Sequence, residues 1–154
     1  MEKWITLKEV IGELPAPLPA AEKNLTNDKA EIPNHEYMNG RFASIYMSRN
    51  RRKCWENQSF TIQAGGRHAP LHPSSSKMKK AEKDLWTFTD KNPIYRRLAV
   101  RECARIQTFP GDFIFYYKNV ADGYKMIGNA VPVRLANELA KKIKTYLIKV
   151  QDNQ

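Results

Sequence analysis

The chain has 154 residues, which is enough for one ordinary domain or for a small domain with part of another. Hydrophobic residues make up 42% of it, so a packed core is expected and wholesale disorder is excluded. Lysine and arginine number 26 against 16 acidic residues, and the net charge of +10 favours a polyanionic partner, chiefly nucleic acid. Without a long apolar run or a lipidation signal, a membrane partner is not favoured.

Two cysteines and three histidines limit the chemistry that the chain can perform. The first residues are not followed by the apolar segment of a secretory signal, and two thiols in that context favour the reducing cytoplasm of a bacterium. No histidine has ligand-like spacing with Cys54 or Cys103, so no metal site is expected.

The first predicted element is a short amphipathic helix. Thr6 and Glu9 have the spacing of a capping box, in which the hydroxyl and the carboxylate each accept a backbone N–H. Apolar residues follow at helical spacing, and Pro15 ends the helix. A polar loop is expected from about Pro15 to Pro33.

The middle of the chain is predicted to consist of short strands and turns, over residues 41–72. Residues 60–64 alternate in polarity and are rich in strand formers, which predicts a strand that ends at Gly65 and Gly66. Residues 73–92 are rich in serine and lysine, which predicts a surface loop with room for one short helical piece.

Two helices are predicted in the last third of the chain. The first spans residues 101–107, and Pro110 ends it. The second begins near Pro132, a residue suited to a first helical turn, and its lysines lie mostly off an apolar stripe. If exposed, this stripe would be a sticky surface that needs a partner. It comprises Ala136, Leu139, Ala140, Ile143, Leu147 and Val150.

Three segments resemble parts of a known enzyme family. The run Arg-Arg-Leu-Ala-Val-Arg-Glu-Cys-Ala-Arg-Ile-Gln-Thr-Phe-Pro at residues 96–110 resembles the ninth conserved block of cytosine-5 DNA methyltransferases. The run Gly-Asn-Ala-Val-Pro-Val at residues 128–133 resembles their tenth block. Residues 34–78, with Met-Ser-Arg-Asn-Arg and Gln-Ala-Gly-Gly-Arg, are similar to the target-recognition region of the GGCC-specific, HaeIII-type branch.

The resemblance implies an α+β fold with two parts. Residues 1–125 would form a small target-recognition domain of short strands, loops and a few helices, including the ninth block. Residues 126–154 would supply the tenth block and a C-terminal helix to a Rossmann-like α/β methyltransferase domain. The family's strings Phe-x-Gly-x-Gly, Pro-Cys, Glu-Asn-Val and Gln-x-Arg-x-Arg do not occur here. We therefore expect the rest of that domain on a second polypeptide.

No catalytic residue is expected in this chain. The family adds a thiolate to cytosine C6, so that C5 can attack the methyl group of S-adenosylmethionine, and the base is flipped out of the duplex. Cys103 lies in a predicted helix and is expected to be an apolar core thiol. Cys54 follows Arg52 and Lys53, which could activate it, but no proline precedes it.

Arginines in the middle of the chain are the candidate DNA contacts. The resemblance, together with a cluster free of acids, favours Arg49, Arg51 and Arg67 as readers of guanine edges, since a guanidinium matches guanine O6 and N7. Phosphate contact or plain solvation is the alternative for these three. The candidate contacts to the DNA backbone are Arg41, Arg52 and Lys53.

Other residues near this cluster have two interpretations each. Ile45 is the candidate wedge that fills the space left by a flipped base, and the alternative is an ordinary core isoleucine. His68 and His72 would contact phosphate or be packed inside. Arg101 and Glu102 are expected to form a structural ion pair.

The resemblance also implies half of a cofactor site. Asn129, Ala130 and Val131 would border the methionine end of S-adenosylmethionine. The helix that follows would offer free N–H groups suited to a carboxylate. The alternative is a helix-entry turn without a ligand, and this half-site alone would bind cofactor weakly or not at all.

Three functions are open on the sequence alone. The first is the DNA-recognition portion or subunit of a cytosine-5 DNA methyltransferase of a restriction-modification system, acting at GGCC or a related site. The second is a non-catalytic DNA-binding module or a truncated remnant of such an enzyme. A relative acting on tRNA ranks last, because the arginine-rich segment is more similar to the restriction-type enzymes.

Overall fold

The computed structural model of the chain describes residues 4–151, which combine helices with a few short strands. This mixture agrees with the expected α+β class. The regular elements, in chain order, are α1 (Leu7–Ile11), β1 (Leu18–Pro19), β2 (Glu36–Tyr37), β3 (Met78–Glu82), β4 (Leu85–Phe88), α2 (Val100–Ile106), α3 (Val120–Asn129) and α4 (Val133–Gln151). Single 3-10 turns lie at Glu22–Asn24, Tyr46–Ser48 and Gly66–His68.

Helix α1 begins with the predicted capping box. The Thr6 N–H donates to Glu9 Oε2 at 2.8 Å, and the Glu9 N–H donates to Thr6 Oγ1 at 3.3 Å. The helix ends at Ile11, earlier than the prolines predicted. Because Leu7 and Ile11 are buried, α1 fixes the start of the described chain on the core.

Strands β3 and β4 form an antiparallel hairpin, so the prediction of a surface loop over residues 73–92 is wrong. Met78 pairs with Phe88 at the open end of the hairpin. Two residues connect the strands, and the second of them, Asp84, has a φ of 56°, which aspartate tolerates in a tight turn. The serine and lysine content favoured a loop, whereas the strand-forming run Leu-Trp-Thr-Phe at residues 85–88 decides the structure.

Residues 60–64 do not form the predicted strand. Their alternation does place Ile62 in the core and leaves Thr61 and Gln63 exposed. Gly128 packs directly against the backbone of this segment. An added Cβ at Gly128 would lie 2.4 Å from both Gln63 C and Ala64 N. A strand needs a hydrogen-bonded neighbouring strand, whereas this segment packs against the end of α3, where Gly128 lies.

Helices α2 and α3 pack at the centre of the core. Cys103 from α2 and Tyr124 and Ile127 from α3 have no exposed surface. The Tyr124 hydroxyl donates to Leu98 O at 2.6 Å and accepts the Met38 N–H at 3.3 Å. This single side chain therefore joins α3 to the start of the ninth block and to the segment after β2.

Helix α2 matches its prediction within one residue, but α3 was not predicted. The sequence of α3 contains Gly123 and Gly128, which lower helix propensity. Tertiary packing overrides that propensity, because the ring of Tyr117 lies within 2.6 Å of where a Cβ at Gly123 would be. Asn119 caps the helix by accepting the Ala121 N–H at 2.9 Å.

Glu102 forms the structural ion pair expected of it, but with a different partner. Its carboxylate accepts two hydrogen bonds from the Arg96 guanidinium, at 2.7 and 2.8 Å. The same carboxylate accepts the Ala99 N–H at 2.7 Å, which caps α2. His72 Nε2 lies 3.7 Å away. Glu102 is 1% exposed, so this is a buried charge held entirely by protein donors.

The prediction that Arg101 pairs with Glu102 is wrong. Its guanidinium instead donates to three carbonyl oxygens, those of Pro33, Gly111 and Phe113, at 2.7 to 3.0 Å. A guanidinium carries five N–H donors, so it can satisfy several carbonyl oxygens at once. Arg101 thereby ties α2 to two loops that are distant in sequence.

Helix α4 projects from this core, and none of its 19 residues is buried. Three residues of its predicted apolar stripe, Leu139, Ile143 and Leu147, are more than half exposed. The helix is held at its start, where the Arg134 N–H donates to Thr108 Oγ1 at 2.9 Å. Thr108 has a φ of 63°, which is rare for a β-branched residue and places its hydroxyl at the helix end.

The expected division of the chain between residues 125 and 126 falls inside α3. Tyr124 lies before this point and Ile127 after it, and both are fully buried in the same core. A division that keeps the helices whole lies between Asn129 and Val133. Such a division would keep Gly128 and Asn129 of the tenth block with the core, and the domain boundary stays a proposal.

Candidate nucleic-acid interface

The loop that carries Ile45 and Arg49 forms an exposed turn. Tyr46 is buried at its centre and starts a short 3-10 turn, while Ile45 is 65% exposed and Arg49 is exposed. The alternative of a core isoleucine is therefore excluded for Ile45. The turn presents an apolar tip with a cation beside it, as the wedge interpretation requires.

Arg51 stabilises this turn through contacts with its backbone and with the Tyr46 ring. It is 7% exposed, and its guanidinium donates to Tyr46 O at 2.6 Å and to Ile45 O at 3.2 Å. The same group lies 4.6 Å from the centre of the Tyr46 ring. The expectation of base readout does not fit this conformation, because Arg51 would first have to release two backbone carbonyls and the ring.

A second loop brings Arg67 to the same region. Arg67 is exposed on the 3-10 turn Gly66–His68, and the Tyr46 hydroxyl donates to Ala69 O at 2.8 Å just after it. The Leu71 N–H donates to Arg51 O at 2.9 Å and continues the connection. The structure thus joins the two loops that present Arg49 and Arg67.

Gly66 has a packing role that the sequence interpretation did not anticipate. The sequence predicted only that a strand ends at this glycine pair. In the structure, a Cβ at Gly66 would lie 2.7 Å from the Tyr124 ring and 2.9 Å from Met38 Cε. The glycine therefore seats the Arg67 loop directly on the core, which fixes the position of that loop.

The three candidate backbone contacts differ in their surroundings. Arg41 is exposed, whereas Arg52 is partly buried and its Nε donates to Ser75 O at 2.7 Å. Lys53 is also partly buried and lies over the ring of Phe60, 4.7 Å from its centre. Arg41 is the least constrained of the three, and the other two partly serve the fold.

The two candidate histidines are placed differently. His68 is exposed beside Arg67 and keeps the possibility of phosphate contact. His72 is buried, and its Nδ1 lies 2.6 Å from Ser74 Oγ. Burial lowers the pKa of His72 to about 4, against the opposing effect of the nearby Glu102 carboxylate. The packed interpretation therefore holds for His72.

A row of aromatic rings, absent from the sequence interpretation, lies behind the exposed turn. Phe88 of β4 stacks on Tyr95 at 4.9 Å, Tyr95 meets Phe42 at 5.0 Å, and Phe42 stacks on Tyr46 at 4.5 Å. The Arg97 guanidinium covers Phe42 at 4.6 Å. The four-residue spacing of Phe42 and Tyr46 could have predicted their contact from the sequence. The rings of Phe88 and Tyr95 come from a different part of the chain, and no such spacing indicates them.

Neither cysteine has the surroundings of the family's nucleophile. Cys103 is completely buried, and burial raises the pKa of its thiol far above the ordinary value. This confirms the apolar-thiol interpretation. Cys54 is exposed, and Arg52 Nη1 lies 3.5 Å from its sulfur, but the residue before it is Lys53 and not proline.

The expected cofactor residues fit only one edge of a site. Asn129 is exposed at the end of α3 and lines a depression of about 400 Å³ with Tyr117 and Lys125, so its amide can hydrogen-bond a carboxylate. Val131 is 59% exposed. The first N–H groups of α4 do not fit an anion-binding role, because protein acceptors already occupy two of them.

Two donors at the start of α4 are already engaged. The Val133 N–H donates to Gln107 O at 3.2 Å, and the Arg134 N–H donates to Thr108 Oγ1. These bonds satisfy groups that the sequence interpretation reserved for an anionic ligand. The junction therefore aligns α4 with the end of α2, and a bound carboxylate would depend on side-chain donors such as Asn129.

Residues 4–151, which the structure describes, contain neither a metal-binding cluster nor a helix that could span a membrane. Their histidine, cysteine and acidic side chains form no group of three or more that could hold a metal ion. No helix in this range combines the length and the apolar character needed to cross a lipid bilayer.

Comparison with known proteins decides the family. The profile of C-5 cytosine-specific DNA methylases matches residues 3–145. The chain belongs to this family. A type II methyltransferase of Methanothermobacter thermautotrophicus is 64% identical over 146 residues, which make up 94% of this chain and 44% of that protein.

Two further relatives also match most of this chain and less than half of their own length. A type II methyltransferase of Neisseria gonorrhoeae is 52% identical over 93% of this chain and 42% of its own length. One of Fusobacterium nucleatum is 52% identical over 84% of this chain and 38% of its own length. The chain therefore spans less than half the length of these C-5 methylase relatives. The resemblance to cytosine-5 DNA methyltransferases is confirmed, and the GGCC branch stays a prediction.

Proposed function

We propose that this chain is the DNA-recognition portion of a cytosine-5 DNA methyltransferase of a restriction-modification system. It would select GGCC or a related site in duplex DNA. Arg49 and Arg67 would read guanine edges, and Ile45 would act as the wedge. Arg41, Arg52 and Lys53 would contact the backbone, with Arg41 the freest to do so. S-adenosylmethionine would be the methyl donor, with Asn129, Ala130 and Val131 at the edge of its site.

One observation carries this proposal. The hydrogen bond between Tyr46 and Ala69, which are 23 residues apart, joins two loops that each present an exposed arginine. Ile45 lies on the first loop, also exposed. Guanidinium groups on a rigid base, beside an apolar tip, suit recognition of guanines next to a disturbed base step. Arg51 would join the readers only by leaving its contacts with the turn.

The two exposed arginines give the sharpest test of this function. Arg49→Ala and Arg67→Ala are each expected to lower the discrimination between a GGCC duplex and a permuted duplex by about 1–3 kcal/mol. The reason is the loss of a bidentate contact to one guanine. Fluorescence anisotropy at fixed salt measures both affinities for each variant.

Lys29→Ala serves as the matched control, because Lys29 is an exposed cation outside both loops. It should leave the ratio of the two affinities unchanged. Equal losses on both duplexes for Arg49→Ala would instead make Arg49 a phosphate contact. A chain that binds tRNA more tightly than duplex DNA would favour the third function over this proposal.

The proposal assigns the methyl-transfer chemistry to residues other than these 154. They contain no Pro-Cys pair, and the thiol of Cys103 is buried. The missing blocks would be supplied on the same polypeptide or on a second one, against which the exposed stripe of α4 would pack. S-adenosylmethionine supplies the electrophilic methyl group, and here Asn129 would help to orient its methionine end.

A mechanism-based trap tests this division. The chain alone is expected to form no covalent adduct with a GGCC duplex that carries 5-fluorocytosine at the target position, in the presence of S-adenosylmethionine. Denaturing electrophoresis and mass spectrometry detect such an adduct. An adduct that disappears in Cys54→Ser would show that this chain carries the nucleophile, and the division would be wrong. If no assembly that contains the chain transfers methyl groups, the alternative of a non-catalytic DNA-binding module or truncated remnant is favoured.

A further inference from the structure

The hairpin β3–β4 carries a run of lysines that the proposed function does not use. Lys77, Lys79 and Lys80 are all exposed. The chain has no aspartate or glutamate between Glu56 and Glu82, so Lys77 and Lys79 have no acidic residue within two positions in sequence, whereas Glu82 follows two residues after Lys80. Lys77 and Lys79 are two residues apart, so in an extended strand their side chains project from one face and that of Lys80 projects from the other. We call the positive surface formed by Lys77 and Lys79 the lysine ladder.

The backbone under the lysine ladder is fixed. Lys77 O accepts hydrogen bonds from the Thr89 N–H at 2.9 Å and from Thr89 Oγ1 at 3.2 Å, which closes the open end of the hairpin. Lys79 of β3 pairs with Thr87 of β4. The strand therefore fixes the backbone positions from which the lysine side chains project.

The hairpin is also coupled to the recognition loops. The aromatic row runs from Phe88 of β4 to Tyr46 of the exposed turn without a gap, with ring centres 4.5 to 5.0 Å apart. A second link joins β3 to the same loop, because the Arg51 N–H donates to Met78 Sδ at 3.4 Å. The lysine ladder therefore keeps a fixed position relative to Ile45 and Arg49.

The spacing of the lysines suits a phosphate backbone. Lys77 and Lys79 are two residues apart, so their backbone positions span about 7 Å in an extended strand. One strand of duplex DNA presents a phosphate about every 3.4 Å along the axis. Ammonium groups are compact point charges without a preferred planar partner, and they contact phosphate without reading sequence.

We propose that the lysine ladder, Lys77 and Lys79, binds the phosphate backbone of DNA that flanks the recognised site. This inference rests on the proposed function, and it deepens it by adding a second contact surface. The ladder supplies affinity that does not depend on sequence, while Arg49 and Arg67 supply the choice of bases. The rigid aromatic row sets the distance between the two contacts.

The test measures the salt dependence of DNA binding by the full chain. In Lys77→Gln/Lys79→Gln, the slope of log affinity against log salt should become shallower by about 1.8, since each lost phosphate contact removes about 0.9. The affinities for the GGCC duplex and for the permuted duplex should fall by the same factor. Lys77→Arg/Lys79→Arg, which keeps both charges, should retain the slope. Circular dichroism checks that the variants fold.

Lys8→Gln/Lys29→Gln is the matched control, because it removes the same charge from exposed positions outside the hairpin. If the control lowers the slope as much as the ladder variant does, the effect is one of net charge and the inference fails. It fails also if the ladder variant leaves the slope unchanged, or loses affinity for GGCC alone. The proposed function would survive that result if Arg49→Ala still lost its preference for GGCC. Absence of salt-dependent binding in the unmodified chain would overturn both.

Discussion

Glu102→Gln is expected to lower the free energy of unfolding by about 3–5 kcal/mol. Both carboxylate oxygens accept hydrogen bonds, one from Arg96 and the other from Arg96 and the Ala99 N–H. In glutamine one of these oxygens becomes an NH₂ donor, so in either orientation a donor faces another donor. The uncompensated Arg96 cation adds to the loss, and its partial exposure places the effect toward the lower end.

Chemical denaturation monitored by tryptophan fluorescence measures this effect. Glu138→Gln is the matched control, because it removes a carboxylate from the exposed pair with Lys141 on α4. The control should leave the denaturation midpoint unchanged. If Glu102→Gln also leaves it unchanged, the buried network does not hold the ninth block together.

The second large effect concerns pH. Burial lowers the pKa of His72 to about 4, whereas an unfolded histidine titrates near 6.5. Between these two values the unfolded chain binds a proton that the folded chain excludes. Stability from this residue is therefore complete above pH 6.5 and is lost as the pH falls toward 4, by about 3 kcal/mol in total.

The groups around His72 explain why burial prevails. The Glu102 carboxylate favours the protonated ring, but it is already neutralised by Arg96, and His35 also opposes a second positive charge nearby. The edge-on contact with Trp55, with ring centres 5.0 Å apart, excludes water from one side. A neutral imidazole is therefore the form that fits this site.

His72→Gln should flatten the decrease in unfolding free energy between pH 6.5 and 4, relative to the unmodified chain. His68→Gln is the matched control, since His68 is exposed and should leave the decrease as it is. Denaturation curves at half-unit pH steps give both profiles. A decrease that persists in His72→Gln would assign the effect to other groups.

The functional surface could be only partly predicted from sequence. Arg49, Arg51 and Arg67 were treated alike, because they share a residue type and a region. The structure separates them: Arg49 and Arg67 are exposed, and Arg51 is bound to the carbonyls of Ile45 and Tyr46. Residue type sets what a guanidinium can bind, but the carbonyls within its reach depend on how the loop closes.

The hairpin and α3 show the same limit for secondary structure. Serine and lysine content indicated a loop over residues 73–92, yet the pairing of β3 with β4 and the stacking of Phe88 on Tyr95 stabilise two strands. Glycines weakened the signal for α3, yet Gly123 and Gly128 are positions where the core leaves no room for a side chain. In α3, packing against distant segments outweighs local helix propensity. In the hairpin, the pairing of neighbouring strands and the strand-forming residues 85–88 outweigh the serine and lysine content.

The amino-acid sequence by itself determined the elements that depend on near neighbours. These are the capping box of α1, the bounds of α2 and the apolar stripe of α4, together with the family resemblance of the ninth and tenth blocks. Only the tertiary structure decided which charges face inward. Arg101 binds Pro33 O across 68 residues, and Tyr46 binds Ala69 O across 23. Buried polar groups must find partners wherever the fold supplies them, and no local pattern encodes that supply.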